Sequence, residues 1–434
     1  MSIHPGESSS SLELTPNRRD LMRLGLLFGS LAFCQGICEP SEGLSAQPVR
    51  SLLLSWSNGV ASVAAVAGVV ALPWILKPVF GLLTDFVPIA GSRRRSYLLG
   101  AGILSTLSFL AATLASSRVT LQPWLIAWLA IASAAVACAD VATDALMIEL
   151  GQPLRFTGRL QAIQWGCLYA SGLVVGVVGG ALSEGQRQCW AILGCSAVSC
   201  VSLLMIITSA HEPRRIVTSS GLMQASRRVV HALQSPTMLA VGGFLFLWNF
   251  NPFSNAVLHI HLTRGLQFSE QVFGLTITTA SLSSIVACVL YGTYCRRIPM
   301  ATLARLSIVL GMVSTLGYLL VEDEHSLVLV TIATGFTYMT ATLIQLDLAA
   351  RACPGALAGT LFATLMALEN LAASLSTTLG GFIYEAAQGP WGSRAAFRFL
   401  VLVGCLTSAG CWLFLDLIPF RDLSGESKDD AQFP

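Results

Sequence analysis

Residues 72–97 read LPWILKPVFGLLTDFVPIAGSRRRSY. An apolar run holds a single lysine, Lys77, reaches Gly81-x-x-x-Asp85, and passes Pro88 and Gly91 into three consecutive arginines, Arg93, Arg94 and Arg95. Read in order, these are an apolar helix, a sharp polar turn built on Gly81 and Asp85, and a basic anchor at one face of a bilayer.

Composition agrees with it. Of 434 residues, 54% are hydrophobic and 11% charged, where a soluble domain carries roughly 25% charged residues. The net charge of +2 and the lack of a basic block interleaved with aromatics exclude a nucleic-acid partner. The first twenty residues contain four consecutive serines with Glu7, Glu13, Asp20, Arg18 and Arg19, which fits neither a cleaved secretory signal nor a transit peptide. The 12 cysteines fall mostly in apolar runs and form no CxxC pair, so they read as small buried hydrophobes; no metal site and no cofactor are expected.

A membrane helix needs about 20 largely apolar residues. Such spans lie near 22–38, 59–83, 97–116, 121–146, 160–183 and 189–210, and again near 237–260, 271–292, 301–321, 326–348, 358–384 and 396–418. Gln35, Gly36, Glu39 and Pro40 interrupt the first. The expected organisation is a tail at 1–20, a six-helix half at 21–210, a charged linker at 211–236, a second six-helix half at 237–418 and a tail at 419–434. With the amino terminus inside, inner segments hold 18 of the 25 lysines and arginines and outer segments 6, with Lys77 buried between; both termini are therefore expected in the cytoplasm.

The second half repeats the first at an offset of 201 residues. Pro153, Gly158, Leu160, Ala162, Gly179 and Gly180 align with Pro354, Gly359, Leu361, Ala363, Gly380 and Gly381, and Gly91 and Arg95 with Gly292 and Arg296. Two parallel six-helix halves joined by a charged linker form the layout of major facilitator transporters, an all-α membrane fold of twelve transmembrane helices with its site near the midplane between the halves.

Charges inside a bilayer cost at least about 2.5 kcal/mol each and are usually paired or line a wet cavity. Lys77 lies eight residues before Asp85, roughly 12 Å inside the boundary at the helical rise. It serves an anionic substrate group, a coupling carboxylate, or a structural ion pair. Asp140 and Asp144 share one face of the fourth span, at a depth comparable to Lys77, and suit proton coupling or a hydrated inner-end pair. Ala341 and Gln345 replace them in the second half. Gln161, Trp165 and Tyr169, with Gln164 beside them, present an amide, an indole and a phenol at helical spacing; they suit a flat heteroaromatic ring, or plain packing. Glu369 and Asn370 interrupt the eleventh span and are the second-half binding candidates, whereas Asp347 and Arg351 read as an i, i+4 structural pair. His259-x-His261 lacks a third ligand for a metal. No phosphate-cradling loop, nucleophile elbow or His-Glu zinc motif occurs, so the chain does not read as an enzyme.

The run Lys77-Pro78-x-x-Gly81, Asp85, Pro88-Ile89, Gly91 and Arg93 to Tyr97 resembles the signature of the folate-biopterin transporter family, a branch of the major facilitator superfamily. Asp140-x-x-x-Asp144-Ala145-Leu146 with Glu149, Leu160-Gln161 with Trp165-Gly166, and Asn251-Pro252-Phe253 followed by Phe268-Ser269 and Phe273-Gly274 extend the likeness in order. The resemblance implies carriage of folates, pterins or related compounds such as S-adenosylmethionine, with proton coupling. The expected mechanism is alternating access. Lys77, Glu369 and Asn370 would meet a carboxylated solute, Gln161 and Trp165 its ring, and Asp140 or Asp144 the proton. The expected partners are that solute and the lipid bilayer, with no oligomer required. A carrier for another small organic solute is the nearest alternative, and a non-transporting membrane sensor the more distant one.

Overall fold

The computed structural model describes residues 18–56, 66, 68–89, 91–183, 187–209, 229–253, 257–258, 261–262, 266, 268, 270–354, 357–420 and 423. Residues 59–65 and 67 of the second expected span, most of the linker, most of both tails and His259 lie outside the described residues. Among those described, the chain is helical with one isolated bridge between Ile89 and Ser92. In the first half the helices are α1 (Arg18–Cys38), α2 (Ala46–Ser55), α3 (Lys77–Phe86), α4 (Arg95–Ala115), α5 (Gln122–Gly151), α6 (Thr157–Leu182) and α7 (Gln188–Ser209). The second half contributes α8 (Pro236–Asn249), α9 (Glu270–Tyr294), α10 (Met300–Gly317), α11 (Glu324–Ala352), α12 (Ala358–Trp391), α13 (Ser393–Gly410) and α14 (Trp412–Leu415). Among the described residues, ten segments are long and apolar enough to cross a bilayer, and α8 is a shorter apolar helix.

Local chemistry sets the helix ends. Ser235 accepts the amide of Met238 ahead of Pro236, and Asp323 with Ser326 forms a capping box that starts α11. The Ser326 amide and hydroxyl hold the exposed Asp323 carboxyl below its ordinary range. Gly91 has φ +79° in the turn between α3 and α4, a conformation that glycine adopts without penalty, and Ile89 and Ser92 exchange backbone bonds across it. Large aliphatics such as Leu114, Val177, Leu406 and Leu413 remain well exposed on the bundle exterior, as a helix facing hydrocarbon requires.

The packing of the two halves is uneven. One buried cluster runs through both, joining Phe28, Leu146, Phe156 and Leu160 to Tyr291, Leu303, Ala349 and Leu361. Two further clusters each stay within one half: Ile37, Leu53, Phe109 and Leu129 in the first, Val257, Tyr384, Phe397 and Leu400 in the second. The shared cluster lies toward the face bearing Arg93 to Arg95, so the halves are closed on this basic face.

Polar contacts seal the same face. The Asp85 carboxylate crosses to the second half and accepts the Thr360 amide and hydroxyl, both at 2.6 Å, capping the amino end of α12. Behind it, the fully buried Arg94 binds Asp85, the Thr84 hydroxyl at 2.7 Å and Glu149 at 2.9 Å, while Arg93 reaches Glu149 at 3.2 Å. From the other side, Asp347 faces the amino end of α6. It accepts the Thr157 hydroxyl at 2.6 Å, the Tyr291 phenol at 3.3 Å and Arg351 at 2.7 Å. Gln152 donates to the carbonyls of Ala350 and Cys353 at 2.7 and 2.8 Å, and Arg159 to the carbonyl of Gly292 at 3.0 Å.

These contacts explain the repeat. A Cβ on Gly158 would meet the Asp347 carboxylate at 2.6 Å, and one on Gly359 would meet Asp85 at 2.9 Å and Arg94 at 2.7 Å. The paired glycines are the places where each half admits a carboxylate of the other at a helix amino end. Two readings of the sequence change. Gly81 and Asp85 lie in the last turns of α3, one helical turn apart, and the sharp turn itself follows around Gly91. Gly81 brings α3 backbone to backbone with Gly359 and Thr360. Asp347 does pair with Arg351 as expected, but it also joins the two halves.

A charge-assisted cap contributes about 1.5–3 kcal/mol, small enough to break and re-form during a conformational cycle. Cys353 lies fully buried beside Asp85 on the closed face and serves as a native reporter. Asp85→Asn should raise the rate of Cys353 alkylation by N-ethylmaleimide about tenfold, read from the labelled peptide by mass spectrometry. An unchanged rate would show that this cap does not hold the face shut.

Candidate functional site

The helix that carries Lys77 changes type there. A 3-10 turn over Leu72–Leu76 gives way to α3 at Lys77, with Pro73 and Pro78 on either side of the junction. Pro78 has no amide proton to give the carbonyl of Trp74 an α-helical bond, and the chain keeps 3-10 geometry up to the lysine. A break of this kind inside a membrane marks backbone that lines a site rather than lipid.

Lys77 is buried and its Nζ lies 2.7 Å from Asp140 Oδ2, with side-chain exposures of 11% and 12%. The ammonium also stands 4.4 Å from the centre of the Trp74 ring, a cation–π contact. Asp140 uses its other oxygen to accept the Gln35 amide of α1 at 2.6 Å. One turn along α5, Asp144 receives the Gln164 amide at 3.3 Å. The charges of Asp140, Asp144 and Glu39 all act on Lys77, and that of Lys77 acts on Glu369 of α12. One ammonium thus stands among carboxyls from both halves. The two aspartates differ: Asp140 is bound by a cation and an amide, Asp144 by a single long amide contact.

The remaining sequence candidates separate. Gln161 is almost wholly buried in α6, and its amide nitrogen finds no acceptor among the described residues. Trp165 packs on the shared apolar cluster and tilts against Tyr169, ring centres 6.2 Å apart. Asn370 is exposed on α12 next to Glu369. Asp85, Arg93 and Arg94 belong to the basic-face network, and Arg95 donates to the carbonyl of Ile207 at 3.2 Å. His261 stacks on Phe397 with ring centres 3.9 Å apart and shares a hydrogen bond with Ser393, which occupies the imidazole structurally. No group of three metal-binding side chains occurs among the described residues.

Gln35, Trp74 and Glu39 are the members that reading the sequence missed. Gln35 and Glu39 look like interruptions of the first span, and Trp74 like one more apolar residue. Their signal was the position of a polar or aromatic group at a helix break, which becomes decisive only once α1, α3 and α5 are adjacent.

Removing one member of a buried pair strands the other charge and costs about 3–5 kcal/mol, whereas replacing both with apolar groups can be neutral. Lys77→Met alone should lower the detergent unfolding midpoint by several degrees. Lys77→Met with Asp140→Leu should restore it without restoring solute flux. Independent, additive losses in a double-mutant cycle would rule out the coupling.

Comparison with known proteins gives the same picture. The chain is 29% identical over 429 residues to the folate-biopterin transporter of Synechocystis sp., covering 93% of this chain and 83% of that one. It is 26% identical over 414 residues to the probable folate-biopterin transporter 2 of Arabidopsis thaliana, covering 85% and 79%. Among solved structures it is similar to FucP, a major facilitator superfamily transporter in the outward conformation, with TM-score 0.69 at 12% identity over 90% of this chain and 97% of that one. It is also similar to a bacterial homologue of the iron transporter ferroportin in the outward-facing state, with TM-score 0.65 at 16% identity over 93% and 100%. At such identities the likeness establishes the fold alone, which is that of the major facilitator superfamily. The profile of the BT1 family matches residues 51–431, and on that match over most of its length the chain belongs to the BT1 family.

Proposed function

We propose that this protein is a secondary active transporter of folate, pterin or a related carboxylated heteroaromatic solute, working by alternating access with proton coupling. The observation that carries the reading is the Lys77–Asp140 pair at the break ahead of α3. It is buried on α3 and α5 of the first half, and α3 packs on α12 of the second half above a closed basic face. A solute carboxylate competing for Lys77 would release Asp140. The names of the Synechocystis and Arabidopsis relatives supply the solute class.

Proton coupling follows from charge balance. Carboxyls outnumber the ammonium, so an anionic solute can be admitted only if the carboxyls left over carry protons, and a proton entering with the solute is the smallest charge that offsets it. Asp144 is the group assigned to that proton, because its charge can change without breaking the Lys77 pair. Lys77, Glu369 and Asn370 are assigned to the solute, and Gln161 and Trp165 remain candidates for the wall of the path. The excess of arginine on the closed face supports a cytoplasmic position for that face and for both termini.

The same acid excess favours a second reading, in which the solute is cationic, such as S-adenosylmethionine. Uptake of labelled folate by cells lacking their own carrier tests the first reading, with unlabelled pterins, S-adenosylmethionine and amino acids as competitors. Folate uptake stimulated by an inward proton gradient is the expected result. Asp144→Asn should abolish that stimulation while retaining exchange of internal for external folate. Competition by S-adenosylmethionine alone, without folate uptake, would establish the second reading instead.

A further inference from the structure

Away from the Lys77 cluster, a cavity of about 500 Å³ opens within the second half, a volume in the range of about 300–1,000 Å³ usual for small-molecule sites. Its walls come from α8 to α13, and Tyr169 of α6 is the first-half residue that reaches it. Among the described residues no carboxylate, lysine or arginine lines it; its polar groups are hydroxyls and carboxamides, among them Asn251, Ser314 and Thr315.

The cavity forms where α8 ends. That helix stops at Asn249, and the chain turns through Asn251-Pro252-Phe253 at the depth where a continuous span would run on. Asn251 holds the break, accepting the Phe253 amide at 3.0 Å and donating to Thr315 at 3.2 Å. Gly380 of α12 leaves room for the Pro252 backbone, where any side chain would collide. A helix end at this depth presents unpaired carbonyls, which are tolerated in a membrane only beside a polar cavity.

Two aromatics shape its wall. Trp248 is 5% exposed, and its indole N–H has no acceptor among the described residues. The nitrogen lies next to Gly311, another wall residue, where a Cβ would come within 2.8 Å. The Tyr338 ring stands 5.2 Å from that of Trp248 and is half exposed. Ala373 and Ser376 of the wall lie one and two turns along α12 from Glu369, so the neutral cavity adjoins Glu369 on one helix.

Resting on the folate-class reading, we propose that this cavity is the subsite for the uncharged planar ring system of the solute. Tyr338 supplies an apolar face, with the Trp248 ring packed behind it. The carboxylated portion extends toward Lys77. A neutral, hydroxyl-lined cavity suits a heterocycle rich in donors and acceptors and excludes carboxylate, which would lose its hydration there without gaining a cation.

The test measures binding by isothermal titration calorimetry on the full chain in nanodiscs. The probes are folate, biopterin, which has no carboxylate, and p-aminobenzoylglutamate, the carboxylated remainder of folate. Tyr338→Ala and the cavity-filling Ala280→Phe should each weaken biopterin and folate about tenfold and leave p-aminobenzoylglutamate within about twofold. Lys77→Met should show the inverse pattern, sparing biopterin. Biopterin affinity unmoved by Ala280→Phe and Tyr338→Ala overturns the subsite and leaves the solute class standing. Parallel loss of p-aminobenzoylglutamate also overturns it, because a separate ring subsite would spare that probe. A wild-type protein that binds neither pterin overturns the solute class, and the subsite with it.

Discussion

The Asp85 carboxylate at the amino end of α12 is the contact on which the described arrangement depends. A helix amino end exposes amides with no partner in its own helix, and a carboxylate from outside satisfies them while its charge meets the favourable end of the helix dipole. Asp85 in turn is held by Arg94, which is fully buried and shared with Glu149. The cap therefore transmits the position of α3, the turn after it and α5 to the second half. Asp347 at the start of α6 answers it from the other side. Two carboxylates, one from each half, close the basic face, and the cluster of apolar contacts beneath them follows.

The lysine site sits on the same element as the first of these caps. Lys77 begins α3 and Asp85 nearly ends it, so the helix that carries the charged pair also carries the closure. Any change that draws Lys77 away from Asp140 moves a helix whose far end is bound to α12. On the proposed reading, in which Lys77 meets the solute, one rigid element of two to three turns would link solute and closure without a relay of side chains. The acid excess around Lys77 makes its pairing sensitive to whatever charge enters, which is the property a coupled carrier needs.

Much of this was legible in the sequence. The spans show in hydropathy because a membrane helix satisfies its backbone internally and presents apolar side chains outward, a demand each segment meets alone. The lysine was legible too, since an isolated charge in an apolar run has few structural excuses, and the fourth-span aspartates fell at a matching depth. The reading went astray where meaning depends on the far side of the interface. Asp347 looked complete with Arg351 four residues away, and nothing local shows that Thr157 of the other half also binds it. Gln35 looked like a defect in a span, although it positions Asp140.

The chain alone determined that it crosses a membrane many times in two related halves, carries one buried lysine, and concentrates arginine on one face. These are properties of period, composition and spacing, which a linear string contains. Only the tertiary structure decided what the repeated glycines are for, which aspartate holds Lys77, and where a neutral cavity lies beside the charged cluster. Each of those is set by side chains from helices distant in sequence meeting within a few ångströms, such as Asp85 with Thr360 and Lys77 with Asp140. At such contacts the free energy falls off over one atomic diameter, far more sharply than hydropathy can register.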